Sequence, residues 1–511
     1  KRKTRCDGGR PACGACHNSL QFSDCEYPSS GVTESQLLEE QIKLLSARIA
    51  ELEACPSSSV VVARAAGPST TPPAQAVPKR PRCVDSSECV ELKELLVQVF
   101  IQHVADLPFF LNVDRFMASI AGKGHDGALN ALLATVYLWG AHLCSEEYRR
   151  QYESRFATKA QQTVSQGIFG TQGGHPKGDS LLHLIQAEVL MAQYLFRLWR
   201  HTEGKYHMIR ALSLVTGARL HVIRSSEQLS SDSVLPLPAD AVEEGERIRA
   251  FWTVMNLNNS CTSVDGSTPN TIYTNEPGLR IDTPWPEDMD TYVTDGISPH
   301  LTGNCTVQRF LAGFDDRNYS WAALHAKATI LFERAAQIGR KHWYNLDTNS
   351  PDIHKSSAEF LDVGSTIRSL SQQIASHHES TPTKRFAFVS IVLDSACIRL
   401  HQEFIAKQPQ SQHMVVSSAR AVVHSIDLLA SSHEQQGVVI DPIVGPVALV
   451  ALRILVSEFR KLAASDAALP SAMAEIQKLF DGMTALSSAC PLMGTQATEA
   501  RQILDELGVT V

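Results

Sequence analysis

From about residue 89 to residue 511, apolar residues recur at three- and four-residue spacing, and this commits most of the chain to helices. In 179–199 the residues Leu182, Ile185, Val189, Ala192, Phe196 and Trp199 follow one another at +3 and +4, so they share one helix face. Arg200–Glu203 break that pattern, with Thr202 as the expected N-cap. A second helix then runs to about Arg219, with Met208, Leu212 and Val215 on one side. Similar patterns occupy 126–144, 147–166, 241–259, 320–344, 357–377, 384–407, 415–431, 443–463, 470–488 and 495–507. Strand-like alternation is nearly absent, long loops are expected at 222–240 and 262–319, and no internal repeat has a fixed period. A 43% hydrophobic fraction over 511 residues suffices for a large core. The most apolar stretch, 438–456, is interrupted by Asp441, Pro442, Pro446 and Arg453. Its longest clean run falls short of the ~20 residues that span a bilayer, so a buried helix and no membrane association are expected.

The first 88 residues are built differently. Residues 56–88 hold six prolines and no Leu, Ile, Met or aromatic residue. Such a segment cannot bury enough surface to offset chain entropy and reads as a disordered linker. Before it, 35–53 reads as one helix with Leu38, Ile42, Leu45, Ile49 and Leu52 at alternating +4 and +3 spacing. Leu at d and Ile at a favour a parallel two-stranded coiled coil, hence a homodimer. The bland alternative is an amphipathic helix packed on its own chain, but Ser- and Pro-rich flanks isolate this one from any core.

Residues 1–28 read KRKTRCDGGRPACGACHNSLQFSDCEYP, with the spacing Cys6-x6-Cys13-x2-Cys16-x8-Cys25. Four of the chain's twelve cysteines are crowded here, unlike the spread of a disulfide framework, and no signal peptide opens the chain. Zinc prefers tetrahedral thiolate coordination, and a C-x2-C turn presents two sulfurs to one ion. Five basic residues face three acidic ones in this segment, while the chain as a whole carries a net charge of -8. A basic tip on an acidic body suggests that the tip alone meets phosphate.

This string resembles the last two-thirds of the fungal zinc binuclear cluster, C-x2-C-x6-C-x5-12-C-x2-C-x6-8-C, with its basic run, the CDG at Cys6-Asp7-Gly8 and the loop proline at Pro11. The resemblance implies that Cys6, Cys13, Cys16 and Cys25 are zinc ligands, with Cys13 bridging two ions. The family's first two cysteines are absent, and by its spacing the second would lie two positions before Lys1. No more than one tightly held zinc is therefore expected here, and two where the missing pair is present. The resemblance further implies that Lys3 reads bases of a CGG triplet in the major groove, that Arg2 assists, and that Arg5 touches phosphate. Lys and Arg suit the guanine O6 and N7 acceptors. The basic run also reads as a nuclear localisation signal, as does Lys79-Arg80-Pro81-Arg82 within the linker.

Residues 89–511 are similar to the fungal-specific transcription factor, or middle homology, domain. Leu184–His221 carries the family's Ile-Gln-Ala start, with Gly217 and His221 at matching places. Residues 243–260 are similar to its E-x-x-R-x-x-x-F-W motif, where Glu246, Arg249 and the pair Phe251-Trp252 stand out. No phosphate loop, H-E-x-x-H or G-x-S-x-G pattern points to an enzyme. The Gly170–Gly178 run reads as a connector, His183, His201 and His207 as ordinary histidines, and Trp139, Trp199 and Trp252 as core. The expected protein is mainly α: a zinc-cluster tip, a short parallel coiled coil, a disordered linker and a large all-α regulatory domain. Its expected role is a nuclear, dimeric, sequence-specific regulator of transcription by RNA polymerase II on double-stranded DNA. Two rivals stay open: a dimeric scaffold without DNA binding, and an all-α enzyme or small-molecule receptor, for which the sequence places no pocket.

Overall fold

The computed structural model describes residues 86–506 apart from 123–124, 168–177, 227–234, 269–272, 274–275, 277–278, 315, 349, 379–382, 437–438 and 463–466. The zinc-ligand, DNA-contact and coiled-coil residues named above, and the linker up to 85, lie outside the described residues. Those that are described belong to one compact unit. They are mainly helical, and no strand occurs among them.

The first helices are α1 (Ser86–His103) and α2 (Val113–Ala121), followed by α3 (Gly127–Leu143), α4 (Glu146–Gly167), α5 (Gly178–Arg197) and α6 (His201–Gly217). Two short connections make hairpins of α3 with α4 and of α5 with α6, and α5 also packs on α3. α7 (Ala241–Asp265) lies against α5, α6 and a later helix, α10 (Trp321–Asp347). The expected loop 262–319 is only partly irregular. α7 runs six residues further than expected, to Asp265, where Gly266 adopts φ 71° and ends it. The short helices α8 (Met289–Thr294) and α9 (Thr306–Leu311) follow, each too brief to show a helical period in sequence.

The remaining helices are α11 (Ile353–His378), α12 (Lys384–His401), α13 (Pro409–Gln436), α14 (Val444–Phe459), α15 (Leu469–Ala485) and α16 (Pro491–Asp505). Caps fix several starts. Asp126, Asp240, Ser320 and Thr383 each accept a hydrogen bond from a first-turn backbone N–H. The stretch 409–434 has the length and mean hydropathy of a membrane span. Yet Val415, Ala419, Val422 and Ile426 are buried in the core and α14 and α15 pack on α13, so it serves here as a core helix.

Three local expectations need correction. α1 starts at Ser86, inside the segment read as linker. Thr202 is not an N-cap: α6 starts at His201, and the capping position, Arg200, instead pairs with Glu203 at 2.5 Å. Trp199 is not core but 57% exposed. α5 ends at Arg197, and Trp199 sits at φ 61° in the turn to α6, which swings its ring off the apolar face. Trp139 and Trp252 are buried as expected. At Gly140 of α3 an added Cβ would lie 2.2 Å from the Leu96 carbonyl oxygen, so glycine is what lets α1 pack this closely.

Glu333 of α10 is 3% exposed, and among the described residues neither of its carboxylate oxygens has a hydrogen-bond partner. Burial pushes its carboxyl from 4.5 up to about 7, against the opposing pull of Arg334 and Arg340. The folded state therefore holds a proton that the unfolded chain has lost between those two values, and stability must fall as pH rises through that window. Glu333→Gln is expected to raise stability at pH 8 by about 1–3 kcal/mol and to change it little at pH 4.5. Denaturant unfolding at the two pH values checks this, and an equal effect at both would contradict the assignment.

Candidate functional site

A cavity of about 270 Å³ opens against α7. Arg249, Trp252, Thr253, Asn256, Leu257 and Ser260 face it at successive +3, +1, +3, +1 and +3 spacing, which is one stripe of the helix. The opposite wall comes from chain far away in sequence: Asp106–Phe109, the first turns of α10 and α12, and Val439–Asp441.

Motif residues set this wall. Gln186, from the Ile-Gln-Ala string on α5, accepts from Phe110 N at 2.8 Å and donates to Pro108 O at 2.9 Å. Glu246 on α7 accepts from Asn112 N at 2.7 Å. Together they hold the irregular segment 108–112, and with it Phe109, against the cavity. Burial pushes the Glu246 carboxyl up to about 7 despite that hydrogen bond. Trp252 is anchored at its edge and at one face: its Nε1 donates to Pro284 O at 2.7 Å, and its ring stacks on Trp285 with centroids 4.6 Å apart. At the strict spacing E-x-x-R-x-x-x-F-W the string places Glu244 and Arg247 before Phe251-Trp252. Those two form structural ion pairs, Glu244 with Arg224 and Arg247 with Glu243, each at 2.5 Å.

Arg249 is held differently. Its Nη1 donates to Glu287 O at 3.1 Å and its Nη2 to Phe109 O at 3.5 Å, while its Nε is buried without a partner. Among the described residues no carboxylate lies within ion-pair distance of it. Burial lowers its pKa, and Asp288 and Tyr292 act on it only from further away. Lys384 at the rim pairs with Asp106, and Arg385 reaches Asp288 only at 3.9 Å. Asp441 accepts from Gln193 Nε2 at 2.7 Å and from Ile443 N at 2.9 Å, and burial pushes its carboxyl up. His325 is held down to about 4 by burial, so it is neutral near pH 7.

The histidines read as ordinary from sequence are placed as follows. His207 pairs with Glu188 at 2.7 Å. His183 is partly buried on α5. His201 meets Cys261 and Asp265, whose i, i+4 spacing on α7 puts all three candidate metal-donor atoms within 4.8 Å of one another. Lys205 Nζ already holds the Asp265 carboxylate at 2.7 Å, and burial pushes the Cys261 thiol up to about 12. This trio is therefore satisfied as a hydrogen-bonded ion pair beside a neutral thiol.

The sequence reading placed no pocket. The signal available to it was the polar stripe Arg249-Thr253-Asn256-Ser260 interleaved with Trp252 and Leu257, an odd composition for the inner face of a buried helix. No family model matches the chain, and no curated protein matches it.

Proposed function

We propose that the chain is a zinc-dependent, sequence-specific DNA-binding transcription regulator that acts in the nucleus as a dimer on CGG-type half-sites. One observation carries this reading: the spacing Cys6-x6-Cys13-x2-Cys16-x8-Cys25 directly behind the basic run Lys1, Arg2, Lys3 and Arg5. Thiolates at that spacing suit zinc, and the flanking cations suit phosphate and guanine edges. Leu38, Ile42, Leu45, Ile49 and Leu52 supply the dimerising seam. The mainly helical body that follows accords with a regulatory domain rather than a second DNA-binding unit, since its excess of acidic residues would repel phosphate.

The test separates base reading from charge. Lys3→Ala should flatten the preference for CGG over scrambled duplexes, a loss of ~1–3 kcal/mol of discrimination. Arg5→Ala should weaken all duplexes alike and reduce the salt slope by about 0.9. Titrations of specific and scrambled duplexes at two salt concentrations read both. The roles are wrong if Lys3→Ala lowers both affinities equally while the CGG preference survives. A wild-type dimer with no CGG preference would instead favour the scaffold reading.

A further inference from the structure

We infer that the cavity against α7 is a binding site for a small organic anion, a carboxylate head on an aromatic or aliphatic body, with Arg249 as the residue that takes the head.

Three cations and three carboxylates, Asp106, Asp288 and Asp441, line the wall, so the placement of Arg249 rather than net charge carries the argument. Arg249 brings a guanidinium to the cavity with no carboxylate to neutralise it, only two backbone carbonyls, one of them at 3.5 Å. A half-buried cation whose Nε is shut off from water without a partner is costly unless something anionic meets it. The other cations differ in kind: Lys384 is already matched by Asp106, and Arg385 meets Asp288 loosely at the solvent-exposed rim. α10 and α12 both begin at this cavity, with Trp321, Ala322, Lys384 and Arg385 of their first turns on its wall. The positive ends of two helix dipoles therefore add to the field of Arg249. Asp441 and Asp288 oppose it, but burial favours the neutral form of Asp441, and Asp288 faces Arg385. His325 adds no charge of its own near neutral pH.

The remaining wall decides the body of the ligand. Trp252, Leu257, Trp321, Phe388 and Val439 present apolar and aromatic surface, while Asn256 and Ser260 offer a few neutral hydrogen-bonding groups. A volume of about 270 Å³ lies just below the usual range for small-molecule pockets, which fits a compact acid. The apolar wall also argues against free phosphate or sulfate, which would leave most of it wet.

The inference concerns a site on the helical body and is tested without DNA, so it stands or falls apart from the DNA-binding reading. Isothermal titration of the full chain compares 3-phenylpropionate with its neutral amide, 3-phenylpropionamide. The acid is expected to bind at least tenfold more tightly than the amide. Arg249→Gln should weaken the acid at least tenfold and leave the amide within about twofold. Arg385→Gln, at an exposed position where folding is not at stake, should weaken the acid severalfold and spare the amide. Thermal melts of the unliganded variants report whether each is folded, and if Arg249→Gln is not, Arg385→Gln carries the comparison. The inference is overturned if acid and amide bind wild type equally, or if neither binds at millimolar concentration. It is also overturned if the acid binds a folded Arg249→Gln as well as it binds wild type or, failing that variant, if Arg385→Gln binds it as well.

Discussion

Arg197→Met will destabilise the helical body by roughly 2–4 kcal/mol, from the buried Ile440 carbonyl left without a donor at about 1–3 kcal/mol and the half-buried Ala489 carbonyl at about 1 kcal/mol. Arg197 closes α5 and is 1% exposed. Its Nη1 donates to Ile440 O at 2.6 Å, its Nη2 to Ala489 O, and its Nε lies 3.4 Å from His142 Nε2. The guanidinium also lies over the Trp139 ring, 5.5 Å from its centre. Because Nε donates to His142 Nε2, the His142 proton sits on Nδ1 and is given to Glu153 at 2.7 Å. One side chain thus joins α3, α5, the approach to α14 and the turn before α16. Methionine keeps much of the bulk and makes none of these bonds. Lysine offers a single ammonium for two carbonyls and should recover only part of the loss. Shifts in denaturation midpoint give the values, and an Arg197→Met protein within about 0.5 kcal/mol of wild type would show that these carbonyls find other donors.

Glu188→Leu should cost ~3–5 kcal/mol, because it leaves buried charge without its counterpart. Glu188 is fully buried on α5 and receives two groups from α6: His207 Nδ1 at 2.7 Å and Arg210 Nη2 at 2.9 Å. With the carboxylate gone, Arg210 retains the Val164 carbonyl at 3.3 Å and a face of Tyr206. The cost comes from the orphaned partners rather than from any large net gain of the intact trio. Adding His207→Leu and Arg210→Met to Glu188→Leu should therefore restore most of the lost stability. Equilibrium unfolding of the single and triple variants decides it: a triple variant no more stable than the single one would mean that the trio is worth its desolvation after all.

The helices that were legible in the sequence are those with one apolar stripe. α5 fits only in part: Leu182, Ile185, Val189 and Ala192 are buried as their spacing requires, but Gln186, Glu188, Gln193 and Arg197 on its other faces are buried too. α10 starts within one residue of expectation and ends three beyond it, whereas α3 is buried on nearly every face and α12 stops at His401, six residues short of the expected 407. The six-residue helices α8 and α9 are too short for a period to show, and the turn at Trp199 inverts a face that spacing alone would extend. The cavity is illegible for another reason. Its walls are set by bonds between residues far apart in sequence, Gln186 to Phe110 across 76 positions and Glu246 to Asn112 across 134. Local pattern marks such residues as polar on a buried helix but cannot say what they reach. The cysteine spacing of residues 6–25 lies outside the described residues and rests on sequence alone.

The buried guanidinium of Arg197 also bears on how the body is made. Its acceptors lie 243 and 292 residues further along the chain. At about 5–20 residues per second, the ribosome needs roughly 15–60 s to deliver the second of them after Arg197 emerges. For that interval α5 carries a cation where the finished protein allows no water, so its apolar face cannot close fully over the early helices. The nascent chain must wait with part of its core open, and holdase chaperones would have their longest access to this protein between the synthesis of α5 and that of α16.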